Sequence, residues 1–223
     1  VHDHTAPRKK VGVVLSGGGA KGVAHVTALR VIEEAGIPID YIAGTSMGAI
    51  IGGLYSIGYD TYTLDSLVRS QNWPDLLADR VSRRNMSIDE REMREKFLLT
   101  VPLTHDRRMA MPSGLLGGNN VLNLLTELAI DYHDSLSFKE LPIPFTCVAY
   151  DLASGKSVNL NSGFLPQAIR ASMSIPGAFE PVRLGDMVLI DEGVTNNFPC
   201  NVVREMGAEV IIGVEVAAGT KDA

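Results

Sequence analysis

The stretch IDYIAGTSMGAIIGG, residues 39–53, places a serine between an apolar strand pattern and a glycine-rich helix pattern. Its centre, GTSMG, fits G-x-S-x-G, in which a sharp turn from strand to helix exposes a serine hydroxyl. Gly44, Gly48 and Gly52 recur at every fourth position, so the helix can lie close against a sheet. A glycine-rich helix start without chemistry would also satisfy the pentapeptide, but its place between strand and helix makes Ser46 a candidate nucleophile.

The chain around this stretch alternates strand and helix patterns, which is typical of a mainly parallel sheet covered by helices on both faces. Residues 41–59 contain no charged side chain, yet their five glycines favour buried strand, turn and helix over a membrane span. We therefore predict an α/β fold. The predicted strands are residues 11–16, 39–43, 145–150, 188–191 and 210–216, with 157–160 as an antiparallel partner. One predicted helix lies between the first two strands and ends at residue 34. Further helices are predicted over residues 120–132, 165–173 and 202–206.

Length and composition favour a single domain. The chain has 223 residues, 45% of them hydrophobic, which is enough to bury a substantial core. We expect a disordered or tag-like N-terminus over residues 1–10, one domain over 11–217, and a tail over 218–223 that can lead to further domains. The first ten residues carry no apolar run after their charges, so no signal peptide is expected in them and the compartment stays open.

Residues 60–118 differ from the rest because they are more polar and irregular. Pro74, Pro102 and Pro112 interrupt them, and helical patterns occur near residues 64–70 and 89–99. We interpret this segment as a variable or cap region of the domain.

Charge and cysteine content exclude several classes of site. The formal net charge is −6, and no cluster of lysine and arginine stands out from their distribution along the sequence. We therefore expect no nucleic-acid partner. Cys147 and Cys200 lie far apart and lack C-x-x-C spacing, so neither a zinc site nor a disulfide framework is indicated. We expect free thiols, no metal and no cofactor.

The glycine loop GGGAKG follows the first predicted strand and offers a run of unhindered backbone N–H groups at a helix start. Gly17, Gly19 and Gly22 spell G-x-G-x-x-G, but a dinucleotide site needs an acid at the end of the second strand, and Asp40 stands at its beginning. A Walker loop fails because Lys21 is followed by glycine instead of serine or threonine. We therefore expect the loop to hold an oxyanion that develops during acyl transfer.

A serine nucleophile needs a base, and the pattern favours a carboxylate. Asp191 ends the strand MVLID, where a parallel sheet presents residues to the crevice beyond its strand ends. The histidines that could lie within the fold, His25, His105 and His133, all precede it. An aspartate that caps a turn is the alternative, but the pairing with Ser46 favours a base.

These motifs together resemble one family. GGGAKG, GTSMG and DEG in the setting LIDEGVTNNFP, with ASMSIPGAF and PSGLL, resemble the patatin-like phospholipases across residues 11–216. The resemblance implies a three-layer α/β/α fold without metal, and a lipid acyl hydrolase of phospholipase A or esterase type with a Ser-Asp dyad. It implies Ser46 as nucleophile, Asp191 as base and the amides of Gly17, Gly18 and Gly19 as the oxyanion hole, with Gly18 and Gly19 as the leading donors.

The resemblance also implies partners and context. A phospholipid or another lipid ester is the expected substrate, with transient contact to a membrane surface. Some bacterial members are exported and carry further domains that end in an outer-membrane barrel, so export within a longer chain is one option and the cytoplasm is the other. We expect Met47, Gly193 and Asn197 to support the site, and His25 to be a packed helix residue.

Glu192 departs from the family pattern, which reads D-G-G or D-G-A. By strand alternation its side chain should lead away from Ser46. If the turn requires a positive φ at this position, the backbone is strained, and our hypothesis is that Glu192 lowers activity through strain and charge. A catalytically weakened interaction module is therefore one alternative function, and a nucleotide-binding domain is another.

Overall fold

The computed structural model describes residues 7–73, 76, 117–176, 178–193 and 195–216. Within them, a mixed seven-stranded sheet forms the centre of an α/β fold. The strands are β1 Val11–Leu15, β2 Tyr41–Gly44, β3 Leu136–Ser137, β4 Phe145–Asp151, β5 Lys156–Leu160, β6 Ser162–Gly163, β7 Val182–Leu184, β8 Met187–Asp191 and β9 Val210–Val214. The α-helices are α1 Ala24–Glu34, α2 Met47–Ser56, α3 Thr61–Ser70, α4 Asn119–Leu128, α5 Leu165–Ser172 and α6 Cys200–Met206.

The sheet has the order β7-β8-β4-β2-β1-β9, and β5 pairs with β4 as well. β9, β1, β2 and β4 are parallel neighbours. β5, β8 and β7 are antiparallel to the strands they pair with, and β3 and β6 form a separate two-stranded ribbon. The sheet therefore has a parallel part and an antiparallel part, and β4 belongs to both.

Side chains alternate between two apolar layers, one on each face of the sheet. Val13 and Leu15 join the larger core with residues of α1 to α5. Val14 lies in the smaller core against Val202 and Val203 of α6. Because both faces are covered, every residue of β1 is buried, and the predicted three-layer α/β/α arrangement is confirmed.

Most element predictions are confirmed to within a few residues. The charge-free residues 41–59 form β2 and α2, and no helix in the described part of the chain is long and apolar enough to cross a membrane. α1 buries Val26, Leu29 and Ile32, which recur at helical spacing on one side, and it stops before Gly36, whose φ is 67°.

The predicted cap region is only partly visible. Its beginning forms α3, which packs Leu64 and Val68 into the larger core. Residues 74–75 and 77–116, including the helical pattern near 89–99 and the PSGLL motif, lie outside the described residues. The same holds for residues 1–6 and 217–223, so the predicted N-terminal segment and tail stay predictions.

Candidate active site

The turn between β2 and α2, residues 44–48, has the backbone geometry that G-x-S-x-G predicts, and we call it the nucleophile turn. Ser46 has φ 53° and ψ −120°, and it is the one non-glycine residue of the described chain with a positive φ. A Cβ on Gly44 would lie 2.5 Å from the carbonyl oxygen of Gly48, and one on Gly48 would lie 2.2 Å from that of Leu15. Holding a serine in this conformation costs about 1–3 kcal/mol, so the packing around the turn must enforce it.

A serine of α5 fastens this turn to the sheet. The backbone N–H of Ser46 donates to Oγ of Ser172 at 3.0 Å. The Ser172 hydroxyl in turn donates to the carbonyl of Val148 in β4 at 2.6 Å. Sequence reasoning missed Ser172, and its one signal was the ASMSIPGAF motif that the family resemblance quoted.

The sheet register brings Asp191 to the nucleophile turn. β5 pairs with residues 147–151 of β4, so β2 and β8 share its other edge. Gly44 pairs with Cys147, and Asp191 pairs with Ala149, two positions further along β4. Because β2 runs parallel to β4 and β8 runs antiparallel, the ends of β2 and β8 face each other. We expected Asp191 to end a parallel strand, and this was wrong because β8 runs antiparallel to β4. Asp191 nevertheless lies near Ser46, as predicted.

The carboxylate of Asp191 is buried and hydrogen-bonded. It is 7% exposed and accepts the N–H of Gly193 at 2.7 Å, and the Ser46 hydroxyl stabilises its charged form. Burial raises the pKa of Asp191; the bonds from Gly193 and Ser46 oppose the rise, and the neighbouring carboxylate of Glu192 adds to it. A raised pKa suits a carboxyl group that must take up a proton near neutral pH.

The backbone of Asp191 has an anchor of its own. Its N–H donates to the carbonyl of Ser174 at 2.9 Å. Ser174 lies just beyond α5 in the same ASMSIPGAF motif as Ser172. One short segment therefore positions the backbone of both Ser46 and Asp191.

The glycine loop lies beside Ser46 and is clamped by Asn197. The Gly17 amide donates to the Asn197 carbonyl at 3.3 Å, and the Asn197 side-chain amide donates to the Gly17 carbonyl at 3.3 Å. A Cβ on Gly17 would lie 3.3 Å from the Cβ of Ser46. The Gly17 N–H is therefore already hydrogen-bonded and does not fit the expected role as an oxyanion donor. The N–H groups of Gly18 and Gly19 donate to no acceptor within the described residues.

Comparison with known proteins gives the family of this arrangement. The family model of the patatin-like phospholipases matches residues 13–204. The chain belongs to the patatin-like phospholipase family. An NTE family protein of Mycobacterium bovis is 31% identical over 216 residues, which cover 97% of this chain and 51% of that protein.

Other relatives of this patatin-like phospholipase domain are longer. Lysophospholipase NTE1 of Kluyveromyces lactis is 28% identical over 214 residues, which cover 96% of this chain and 13% of that protein. The chain thus spans about half the length of the mycobacterial relative and less of the yeast one. The crystal structure of VipD from Legionella pneumophila has the same fold, with a TM-score of 0.62 at 18% identity over 98% of this chain and 51% of that chain.

The residues predicted to support the site of this patatin-like domain take distinct places. Gly193 bonds to Asp191. Met47 begins α2 and packs so closely that a Cβ on Gly22 would lie 2.0 Å from its Cγ. His25 is buried, and its Nε2 lies 2.7 Å from the Ser16 carbonyl. Burial lowers its pKa, and the prediction of a packed helix residue is confirmed.

The geometry of Glu192 differs from one part of our hypothesis. Glu192 does not have a positive φ, so the proposed backbone strain is absent. Its side chain is fully buried and accepts the hydroxyls of Ser157 and Thr195. As expected from strand alternation, these bonds do not include Ser46.

The described residues contain no cluster of three or more His, Cys, Asp or Glu side chains that could hold a metal ion. The two cysteines are free thiols: Cys147 is buried and Cys200 is half-buried.

Proposed function

We propose that this patatin-like phospholipase domain hydrolyses carboxylic esters of lipids through a serine acyl-enzyme. The observation that carries the proposal is that the sheet register brings the buried carboxylate of Asp191 to Ser46 on its positive-φ turn, where the Ser46 hydroxyl stabilises the charged carboxylate. A nucleophile that lies beside a base is the arrangement that covalent catalysis requires. The family match and the adjoining glycine loop support it.

The first step forms the acyl-enzyme. Oγ of Ser46 attacks the ester carbonyl carbon while Asp191 accepts the hydroxyl proton. The carbonyl oxygen becomes an oxyanion, which the amides of Gly18 and Gly19 stabilise. Collapse of the tetrahedral intermediate breaks the bond to the alcohol, and Asp191 returns the proton to the leaving oxygen.

The second step releases the fatty acid. A water molecule gives a proton to Asp191 and attacks the acyl carbonyl, and the same amides stabilise the second oxyanion. The Ser46 oxygen leaves and recovers the proton from Asp191. The raised pKa of Asp191, which burial causes, makes this aspartate a better base than a solvated one.

The proposed substrates are phospholipids, lysophospholipids or related lipid esters, which the domain meets at a membrane surface. The name of the yeast relative, a lysophospholipase, supports this class. We propose residues 11–217 as the catalytic domain, with the family match over 13–204 inside it.

Hydrolysis of p-nitrophenyl esters of several chain lengths and of lysophosphatidylcholine tests the proposal. The wild-type chain should release product from both classes, whereas Ser46→Ala and Asp191→Asn should lose nearly all of the rate and keep the fold. Hydrolysis that survives in Ser46→Ala would refute the proposal. Binding of lipid without turnover by the wild type would favour the interaction module instead.

A further inference from the structure

Glu192 is a second buried carboxylate beside the Asp191 base. Its side chain has no exposed surface. Its Oε1 accepts the hydroxyl of Ser157 in β5 and that of Thr195, and its Oε2 is buried without a partner among the described residues. Burying a carboxylate costs folding free energy. Stability alone therefore does not explain why Glu192 is buried at this position.

The bond to Ser157 crosses the sheet. Ser157 pairs with Tyr150 on one edge of β4, and Asp191 pairs with Ala149 on the other. Glu192 therefore reaches over β4 and ties the chain that follows β8 to a strand that is not its neighbour. This tie begins one residue from Asp191, whose charged carboxylate the Ser46 hydroxyl stabilises.

The backbone of Glu192 organises the same segment. Its carbonyl accepts the N–H groups of Thr195 and Asn196 at 3.1 and 3.0 Å. The Asn196 carbonyl accepts the Thr45 hydroxyl of the nucleophile turn at 3.2 Å, and Asn197 clamps the glycine loop. We call residues 191–193 and 195–197 the base loop.

We propose that Glu192 is a positioning residue for the Asp191 base: it anchors the base loop to β5 and so holds Asp191 against Ser46. This inference rests on the proposed function, because it assigns Asp191 the role of base. It reverses the expectation that Glu192 impairs the site, since Glu192 has no positive φ and its Oε1 accepts two hydroxyls.

Glu192 also acts on Asp191 through its charge. Among the described residues, it is the charged group that raises the pKa of Asp191, in addition to the larger effect of burial. A Gln at this position keeps an oxygen that can accept both hydroxyls and removes the charge. Charge and anchoring can therefore be separated by substitution.

Steady-state hydrolysis of p-nitrophenyl butyrate by the full 223-residue chain tests the proposal. Glu192→Ala should lower kcat by roughly 10- to 100-fold with KM little changed, because small displacements of a catalytic group have effects of this size. Ser157→Ala should lose less, since the bond from Thr195 remains. Asn159→Ala, which changes another exposed side chain of β5, is the matched control and should retain the wild-type kcat.

Glu192→Gln supplies a measurement, the pH profile of kcat, that would not change if Glu192 had only a structural role. It should keep most of kcat, keep or raise the melting temperature, and shift the acidic limb of the pH profile of kcat to lower pH, because Asp191 then ionises more easily. If Glu192→Ala does not fold, Glu192→Gln and Ser157→Ala decide the matter.

Three results would overturn the inference: wild-type kcat in Glu192→Ala or Glu192→Gly, an unmoved acidic limb in Glu192→Gln, or a loss in Asn159→Ala equal to that in Ser157→Ala. Failure of the proposed function looks different, because then Ser46→Ala would hydrolyse the ester as fast as the wild type. If ester hydrolysis depends on Ser46 but not on Glu192, this inference is wrong and the proposed function stands.

Discussion

The nucleophile turn and the base loop carry the two residues of the proposed dyad, yet different forces hold them. In the nucleophile turn, backbone packs on backbone: Gly44 and Gly48 leave no room for a Cβ. In the base loop, polar side chains make the contacts, with Glu192 bonded to β5 and Asn197 bonded to Gly17. We infer that substitutions in the turn act on folding, whereas substitutions in the loop act on chemistry in a protein that still folds.

Gly48→Ala should have the largest effect on folding. Its Cβ would lie 2.2 Å from the Leu15 carbonyl oxygen, and backbone cannot give way cheaply, so we expect a loss of about 3 kcal/mol or more in the free energy of unfolding. Chemical denaturation measures it. Gly155→Ala is the control, because its φ is 69° but its nearest contact is at 3.7 Å, and it should cost about 1–2 kcal/mol. Equal losses in the two variants would contradict the inference that backbone packing holds the nucleophile turn.

Asn197→Ala should affect rate more than folding. Without its side-chain amide the Gly17 carbonyl loses a donor, and the neighbouring Gly18 and Gly19 amides shift, so kcat should fall roughly 10- to 100-fold. Asn196→Ala is the matched control, because its side chain bonds Asn201 and its contact with Thr45 is through backbone. An Asn196→Ala variant as slow as Asn197→Ala would show that the whole loop, and not the clamp, sets the rate.

Asp191→Asn should be inactive and yet more stable than the wild type at pH 7. Burial raises the folded-state pKa of Asp191 above its ordinary value, so its stabilising contribution is complete below about pH 3.9 and is lost as the pH rises through the raised pKa. Melting temperatures across pH measure this difference, which should shrink in acid. A variant that melts below the wild type at pH 7 would contradict the assignment of burial as the dominant cause.

His133→Asn should have the smallest effect. The ring is exposed and its Nδ1 bonds the Ile130 carbonyl at 2.8 Å, away from both halves of the dyad. We expect kcat within about twofold of the wild type, as for a surface substitution far from the chemistry. A loss as large as that of Asp191→Asn would turn the dyad into a triad.

The nucleophile turn could be predicted from sequence because its requirements are local. A strand followed by two glycines that flank a serine within five positions defines the backbone, and Ser46 has the positive φ of such a turn. The end of a strand likewise pointed to Asp191. The direction of β8 could not be read in the same way, since it depends on pairing with β4, which lies elsewhere in the sequence.

Long-range contacts explain the other misses. Ser172 supports Ser46 from 126 positions away, and no spacing rule links two such residues. The engagement of the Gly17 amide depends on Asn197, 180 positions away. The family pattern suggested a strained backbone at Glu192, but it carries no information on the side-chain bonds that Glu192 makes to Ser157 and Thr195 in this chain.

Labelling with a fluorophosphonate, followed by peptide mapping, tests the central claim that Ser46 and Asp191 form a dyad. The account predicts one modified residue, Ser46, with labelling absent in Ser46→Ala and strongly slowed in Asp191→Asn at pH 7. A label on any other residue, or a rate in Asp191→Asn equal to that of the wild type, would contradict it.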